Sequence, residues 1–443
     1  MFEYRVSYVN QNSWKICEMM IRRFNLLLFL LLSLNPLGAK TIILPPNYVN
    51  GKYVLTQEML MQNNVKYIIK RHYDLNGATI ILPKGAVLVF KNNSSLTNGV
   101  LFGNKSSLNS ADDHVIFKNV AISGIWHVPE IYSTWFEFGD NPELNTQNFR
   151  SMCKLTDDEH HGVIHVFKNE YKIKVDESER ACFNLSSNTE LIINGVIQLE
   201  ANDFTNYRII WVRDKKNVKI YGCGTLVGDV DTHIGTKGEW GMGIEILSSK
   251  DVLLEDLMIK NCWGDCVYIG QSKFRQDSYS QNVTLNNITC KAGRRQGLSI
   301  IAGEDIYIMN SKFVETGTIK YTSPGFGIDI EPNKHGETVV SNIVIDGCFF
   351  SGNQHERDFM TYNLDNSTKI ILKNSELNGN IVFGKNSYNV VVDSCNVKDI
   401  IVNKTSVGNI VIKKSKIRKG YKYIDDKIIR FESCTQSGNI ITN

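Results

Sequence analysis

Three acids and two arginines fall in three short β-rich phrases between residues 265 and 331. Asp265 opens Asp265-Cys-Val-Tyr268-Ile269, Arg294, Arg295 and Gln296 precede Gly297-Leu-Ser-Ile300, and Asp329 and Glu331 alternate with isoleucine in Gly327-Ile-Asp-Ile-Glu331. Two carboxyls flanking one bond, one protonated and one ionised, are what glycosidic cleavage needs. Asp265, Asp329 and Glu331 are therefore the candidate catalytic residues. A guanidinium grips a carboxylate bidentately and stays charged at any working pH. Arg294 and Arg295 thus read as binding groups for an acidic sugar, joined by Gln296, Glu245 and Tyr268. An arginine base with Tyr268 as proton donor would serve β-elimination instead. Trp240 and Trp263 offer flat faces on which a sugar ring could stack.

What must position these groups is a repeat. A polar residue followed by apolar–any–apolar recurs as Asn217-Val-Lys-Ile220, Asp251-Val-Leu-Leu254, Asn282-Val-Thr-Leu285, Asp305-Ile-Tyr-Ile308 and Asn342-Ile-Val-Ile345. Lys369-Ile-Ile-Leu372, Asn389-Val-Val-Val392 and Asn409-Ile-Val-Ile412 continue it, with a weaker copy at Ile428-Ile-Arg-Phe431. From one first apolar residue to the next the steps are 34, 31, 23, 37, 27, 20, 20 and 19. Short period-two strands near every 20 residues, with insertions between, describe a parallel β-solenoid. A second series precedes it: Gly243-Ile-Glu-Ile246, Cys266-Val-Tyr-Ile269, Gly297-Leu-Ser-Ile300 and Gly327-Ile-Asp-Ile330. By alternation the apolar pairs point inward, and Glu245, Tyr268, Ser299 and Asp329 form one outward, exposed column. Arg295 and Glu331 share its parity. Asp265 and Asp329 lie two rungs apart, roughly 10 Å by strand spacing, which suits an inverting hydrolase.

The fifth residue from each apolar start is small or apolar: Cys223, Leu257, Ile288, Ser311, Cys348, Ser375, Cys395, Ser415 and Cys434. This predicts an inward ladder in which cysteines act as buried small hydrophobes. Ten cysteines in 443 residues are too dilute for a disulfide framework. Cys262 and Cys266 lack a second Cys/His pair, so no zinc site is expected. The insertion Asp229–Trp240 fits no EF-hand. No cofactor is implied, although its acids leave a bound calcium ion open.

Residues 40–145 read as an N-terminal cap with its own first rungs, and 146–443 as the main coil, with a short helix over 148–154. Arg22 and Arg23, the apolar run 24–34 and Pro36-Leu-Gly-Ala39 match a signal peptide over residues 1–39, with Met19 or Met20 a candidate start. Export to the periplasm, cell surface or exterior follows, with no stable membrane insertion. A net charge of +3 argues against a nucleic-acid partner.

The pattern resembles the right-handed parallel β-helix (pectin lyase-like) superfamily. Gly222-Cys-Gly-Thr-Leu-Val-Gly228 and Asn261-Cys-Trp-Gly-Asp265 are similar to the opening turn and aspartate rung of polygalacturonase-type glycoside hydrolases. Arg295 and Gln296 stand where that family has adjacent aspartates, and Phe326 where it has histidine. The resemblance implies an all-β coil and a secreted enzyme acting on an acidic or decorated polysaccharide. The alternatives are a polysaccharide lyase or uronate epimerase, and a non-catalytic carbohydrate-binding coil.

Overall fold

The computed structural model describes residues 40–441 apart from 112, 274–277, 336, 404–406 and 423–427; the leader-like segment 1–39 lies outside them. The repeat reappears as stacking. Val218, Val252, Val283, Ile306, Ile343, Ile370, Val390, Ile410 and Ile429 each pair with the next in parallel register. They belong to a 12-stranded sheet that runs from Glu130–Tyr132 to Ile429–Glu432. The other faces of the coil form a 19-stranded sheet, parallel throughout except at its last pairing. The chain is a parallel β-helix, with the right-handed coil that crossovers between parallel neighbours take.

The polar residue opening six of the phrases has a backbone role. Asn217, Asp251, Asn282, Asp305, Asn342 and Asn389 have φ between 50° and 57°. Asn and Asp tolerate this left-handed bend because their short side chains hydrogen-bond locally. Asn282 Nδ2 donates to Asp251 Oδ1 one rung away at 2.6 Å. The bends therefore stack as well as turn the chain.

The predicted inner ladder forms from Leu257 to Cys434, all of it buried. Ser311, Ser375 and Ser415 accept the amides of Ile288, Cys348 and Cys395 at 3.1–3.2 Å, tying rung to rung. Cys223 departs from the ladder and is exposed. It sits between Gly222, at φ 126°, and Gly224, and this turn carries its side chain out to Asn194. The nine cysteines among the described residues are free thiols.

Residues before Glu130 build a separate, smaller parallel sheet. A helix follows over Pro142–Lys154, starting six residues before the expected Asn148. Asn141 caps it, accepting from the Leu144 amide, and Pro142 supplies the first turn. Its Phe149 and Met152 are buried against the strands Phe117–Trp126 and Ala181–Asn184. No helix among the described residues is long and apolar enough to cross a membrane.

Candidate active site

The outward column holds in register. Glu245 pairs with Tyr268, Tyr268 with Ser299, and Ser299 with Asp329. The column starts two rungs earlier, at Asn184 and Trp211, and continues through Met360, Val382 and Ile401. Its inward neighbours, Ile244 through Ile330, have no exposure, and burying each such side chain contributes ~1.5–3 kcal/mol. That apolar column holds the polar one straight.

Outward, however, does not mean exposed. Glu245, Ser299 and Asp329 are buried, as are Asp265, Arg294 and Gln296. The cause is the long insertions, whose segments fold over this face. Lys320 Nζ, in the insertion that ends at Phe326, donates to the Asp231 and His233 carbonyls of the other insertion at 3.2 and 3.1 Å.

Arg294 is the cross-tie of that cover, which corrects its reading as a substrate ligand. Its guanidinium donates to the carbonyls of Lys320 (2.8 Å) and Gly238 (2.7 Å), with longer bonds to Trp263 and Thr236. Trp263 is corrected likewise. Its ring lies between the His233 imidazole, at 3.7 Å, and the Arg294 guanidinium, also at 3.7 Å. Both faces are covered, so no sugar can stack there. Trp240, at 46% exposure, keeps an open surface.

Two linked acid groups remain. Asp265 Oδ2 accepts from Arg295 Nη1 at 2.9 Å and from Ser299 Oγ at 2.7 Å. Its Oδ1 is buried with no partner. Burial pushes its carboxyl above the usual range, while Arg295 and Ser299 pull it back. Asp329 Oδ2 accepts from Gln296 Nε2 at 2.6 Å, and the Gln296 carbonyl in turn takes the Phe326 amide at 2.7 Å. Gln296 thus positions Asp329 rather than meeting solvent. Asp329 Oδ1 is buried with no partner, and the Glu331 carboxyl lies close enough to interact with it. Burial, then the neighbouring Glu331 charge, holds Asp329 well above the ordinary carboxylate range; burial raises Glu331 too. Two adjacent carboxyls that both resist ionisation share a proton. Glu331 is the more open of the two.

The expected backbone separation of two rungs stands, but both acids reach toward the rung between them. Asp265 meets Arg295 and Ser299 there, and Asp329 meets Gln296. Arg295 forms its direct ion pair with Asp265 at 2.9 Å, with Glu239 at 3.6 Å. Asp265 foremost holds Arg295 above the usual guanidinium range. Glu245 is paired with Arg208 at 2.9 Å, and burial raises its carboxyl. Tyr268, part-buried beside Asp265 and Glu245, has its phenol pushed up, by burial first. Sequence reasoning missed Arg208 and Trp211. The signal was present in Ile210-Trp-Val212, which reads like Ile244-Glu-Ile246 one rung later.

No family model matches this chain. It is 28% identical over 218 residues to the SPbeta prophage-derived uncharacterized protein YorA of Bacillus subtilis, covering 44% of this chain and 36% of YorA. The chain thus spans little more than a third of that relative's length. Among solved structures it is similar to the mannuronan C-5 epimerase AlgE6 A-module of Azotobacter vinelandii (13% identity, TM-score 0.43, 66% of this chain and 90% of that one). An exopolygalacturonase of Thermotoga maritima aligns likewise (13% identity, TM-score 0.40, 66% and 88%). These likenesses are to the coil, at identities too low to transfer residues.

Proposed function

We propose that this face is the active site of a glycoside hydrolase acting on a neutral or neutrally decorated polysaccharide. The reading rests on the Asp329–Glu331 pair, two neighbouring carboxyls that burial holds toward the protonated form, so that a proton is available for a leaving-group oxygen. In this assignment Glu331 presents the proton and Asp329 stores it beneath. Asp265, its charge supported by Arg295 and Ser299, orients the attacking water through its unpartnered Oδ1. Tyr268 and Trp240 line the approach.

The committed arginines speak against a uronate and against elimination. Arg294 is spent on carbonyls, and Arg295 neutralises Asp265. A guanidinium held more firmly protonated by its neighbours is a poor base. Export fits a polymer substrate and rests on the leader-like segment alone.

The test is to offer the purified protein a panel of neutral and uronic polysaccharides, following reducing ends and ultraviolet absorbance together. New reducing ends on a neutral polymer, without unsaturated product, are expected, and Asp265→Asn and Asp329→Asn should each lower turnover by ~10²–10⁴-fold. An unsaturated product, binding without cleavage, or full turnover by both variants would overturn the reading.

A further inference from the structure

A second group of chemistry-bearing residues lies outside this face. His127 ends the strand Phe117–Trp126 by one residue, and Asp157 and His160 lie in the loop that leads into the strand Gly162–Val166. One ligand atom from each of the three falls within 4.8 Å of the others. His160 Nδ1 lies 2.9 Å from Asp157 Oδ2, and the His127 and His160 ring centroids lie 4.2 Å apart with the planes tilted by 36°.

A simple ion pair explains Asp157 with His160 but leaves His127 out. Two imidazoles packed together beside one carboxylate would repel if both were charged, and a single carboxylate cannot neutralise both. A divalent ion shared by neutral imidazoles and an ionised carboxylate satisfies all three. The spacing fits: two atoms 2.9 Å apart, each about 2.05 Å from one ion, subtend roughly 90°, an angle octahedral metals accept.

The backbone holds these groups ready. Asp157 Oδ1 takes the amides of Glu159 and His160 at 2.8 and 2.7 Å, which fixes the carboxylate with Oδ1 at 3.0 Å and Oδ2 at 2.9 Å from His160 Nδ1. The His127 amide donates to Ser106 O at 2.9 Å, and the Val128 amide to Leu155 O at 3.0 Å, so the strand end is bonded to the segment just before Asp157.

We infer that His127, Asp157 and His160 form a binding site for one divalent transition-metal ion, of the class imidazole and carboxylate favour. The ion clips the smaller N-terminal sheet to the entry of the main coil. It closes the loop of about 30 residues that carries the helix Pro142–Lys154, a loop-closure constraint of the kind that stabilises a fold. The inference is independent of the proposed hydrolase.

The test titrates untagged full-length protein, cleared of metal by chelation, with Co²⁺ and Zn²⁺, following the cobalt spectrum, calorimetry and thermal unfolding. One equivalent should bind, and saturating Zn²⁺ should raise the Tm by several degrees. His160→Ala and Asp157→Asn should weaken binding at least tenfold and abolish the Tm rise. His160 is exposed, so its variant keeps the test valid if His127→Ala fails to fold. No stoichiometric binding by the parent chain, unchanged binding by both variants, or a thiolate band in the cobalt spectrum would each overturn the inference.

Discussion

The early and late rungs of the coil share one inward pattern and differ in everything outside it. Between Trp240 and Glu331 each turn carries three short strands and long insertions, and the outward column reads Glu245, Tyr268, Ser299 and Asp329. From Ile370 onward a turn needs only about 20 residues and two strands, and the column reads Val382 and Ile401. Inward, Ile328 and Ile381 play the same part in both. The coil is thus specified by its interior and its Asn/Asp bends, and chemistry is added where turns are lengthened and the outward column becomes polar. The lengthening matters because burial is the first cause that raises Asp265, Asp329 and Glu331, and the insertions help to cover them.

Reactivity should break the comparison most sharply. Glu331→Gln is expected to cost at least a hundredfold in kcat, measured as reducing ends released, while Val382→Thr in the late column leaves kcat unchanged. The activity should also fall as pH rises through the raised, shared ionisation of Asp329 and Glu331, since the proton donor is lost there.

Next is the fate of a buried charge. Arg295→Met removes the partner of the fully buried Asp265 and is expected to destabilise the early rungs by about 3–5 kcal/mol in denaturant unfolding. Lys413→Met, which breaks the exposed Lys413–Asp393 pair of the late rungs, should change stability by under about 1 kcal/mol.

Asp358 lies where the two regions meet. Burial, opposed by Asn353 and the Gly379 amide, pushes its carboxyl up to about 6. A carboxyl raised from 3.8 on folding contributes stability below pH 4 and loses it as pH climbs to about 6, about 3 kcal/mol in all. Thermal melts from pH 4 to 7 should show that slope in the parent chain and not in Asp358→Asn.

The smallest effect concerns the open tryptophan. Trp240→Ala should raise KM about tenfold with little change in Tm, whereas Trp263→Ala, which empties the His233–Arg294 sandwich, should lower Tm by many degrees.

Much of this was legible before any coordinates. Alternation of period two named the inward pairs and placed Glu245, Tyr268, Ser299 and Asp329 in one column, because side-chain direction in a strand is a local property. Burial of that column was not legible, since it depends on how insertions fold over a face. Arg294 could have been separated from Arg295 by parity, for adjacent residues of an extended chain point to opposite sides. Trp263 could not, because its partners His233 and Arg294 lie some 30 residues away in both directions. Cys223 misled for another reason: a glycine-flanked turn breaks the alternation on which the ladder rests.

The left-handed Asn and Asp bends carry one more consequence. Because Asn389 bonds to Asn409 one rung on and the inward valines and isoleucines recur at a step of 20 residues, a late rung is a repeating unit of length. Duplicating residues 390–409 would lengthen the coil by about 4.8 Å and leave the acids of the early rungs where they are. The late rungs are in that sense a ruler, adjustable in whole turns, laid end to end with the site.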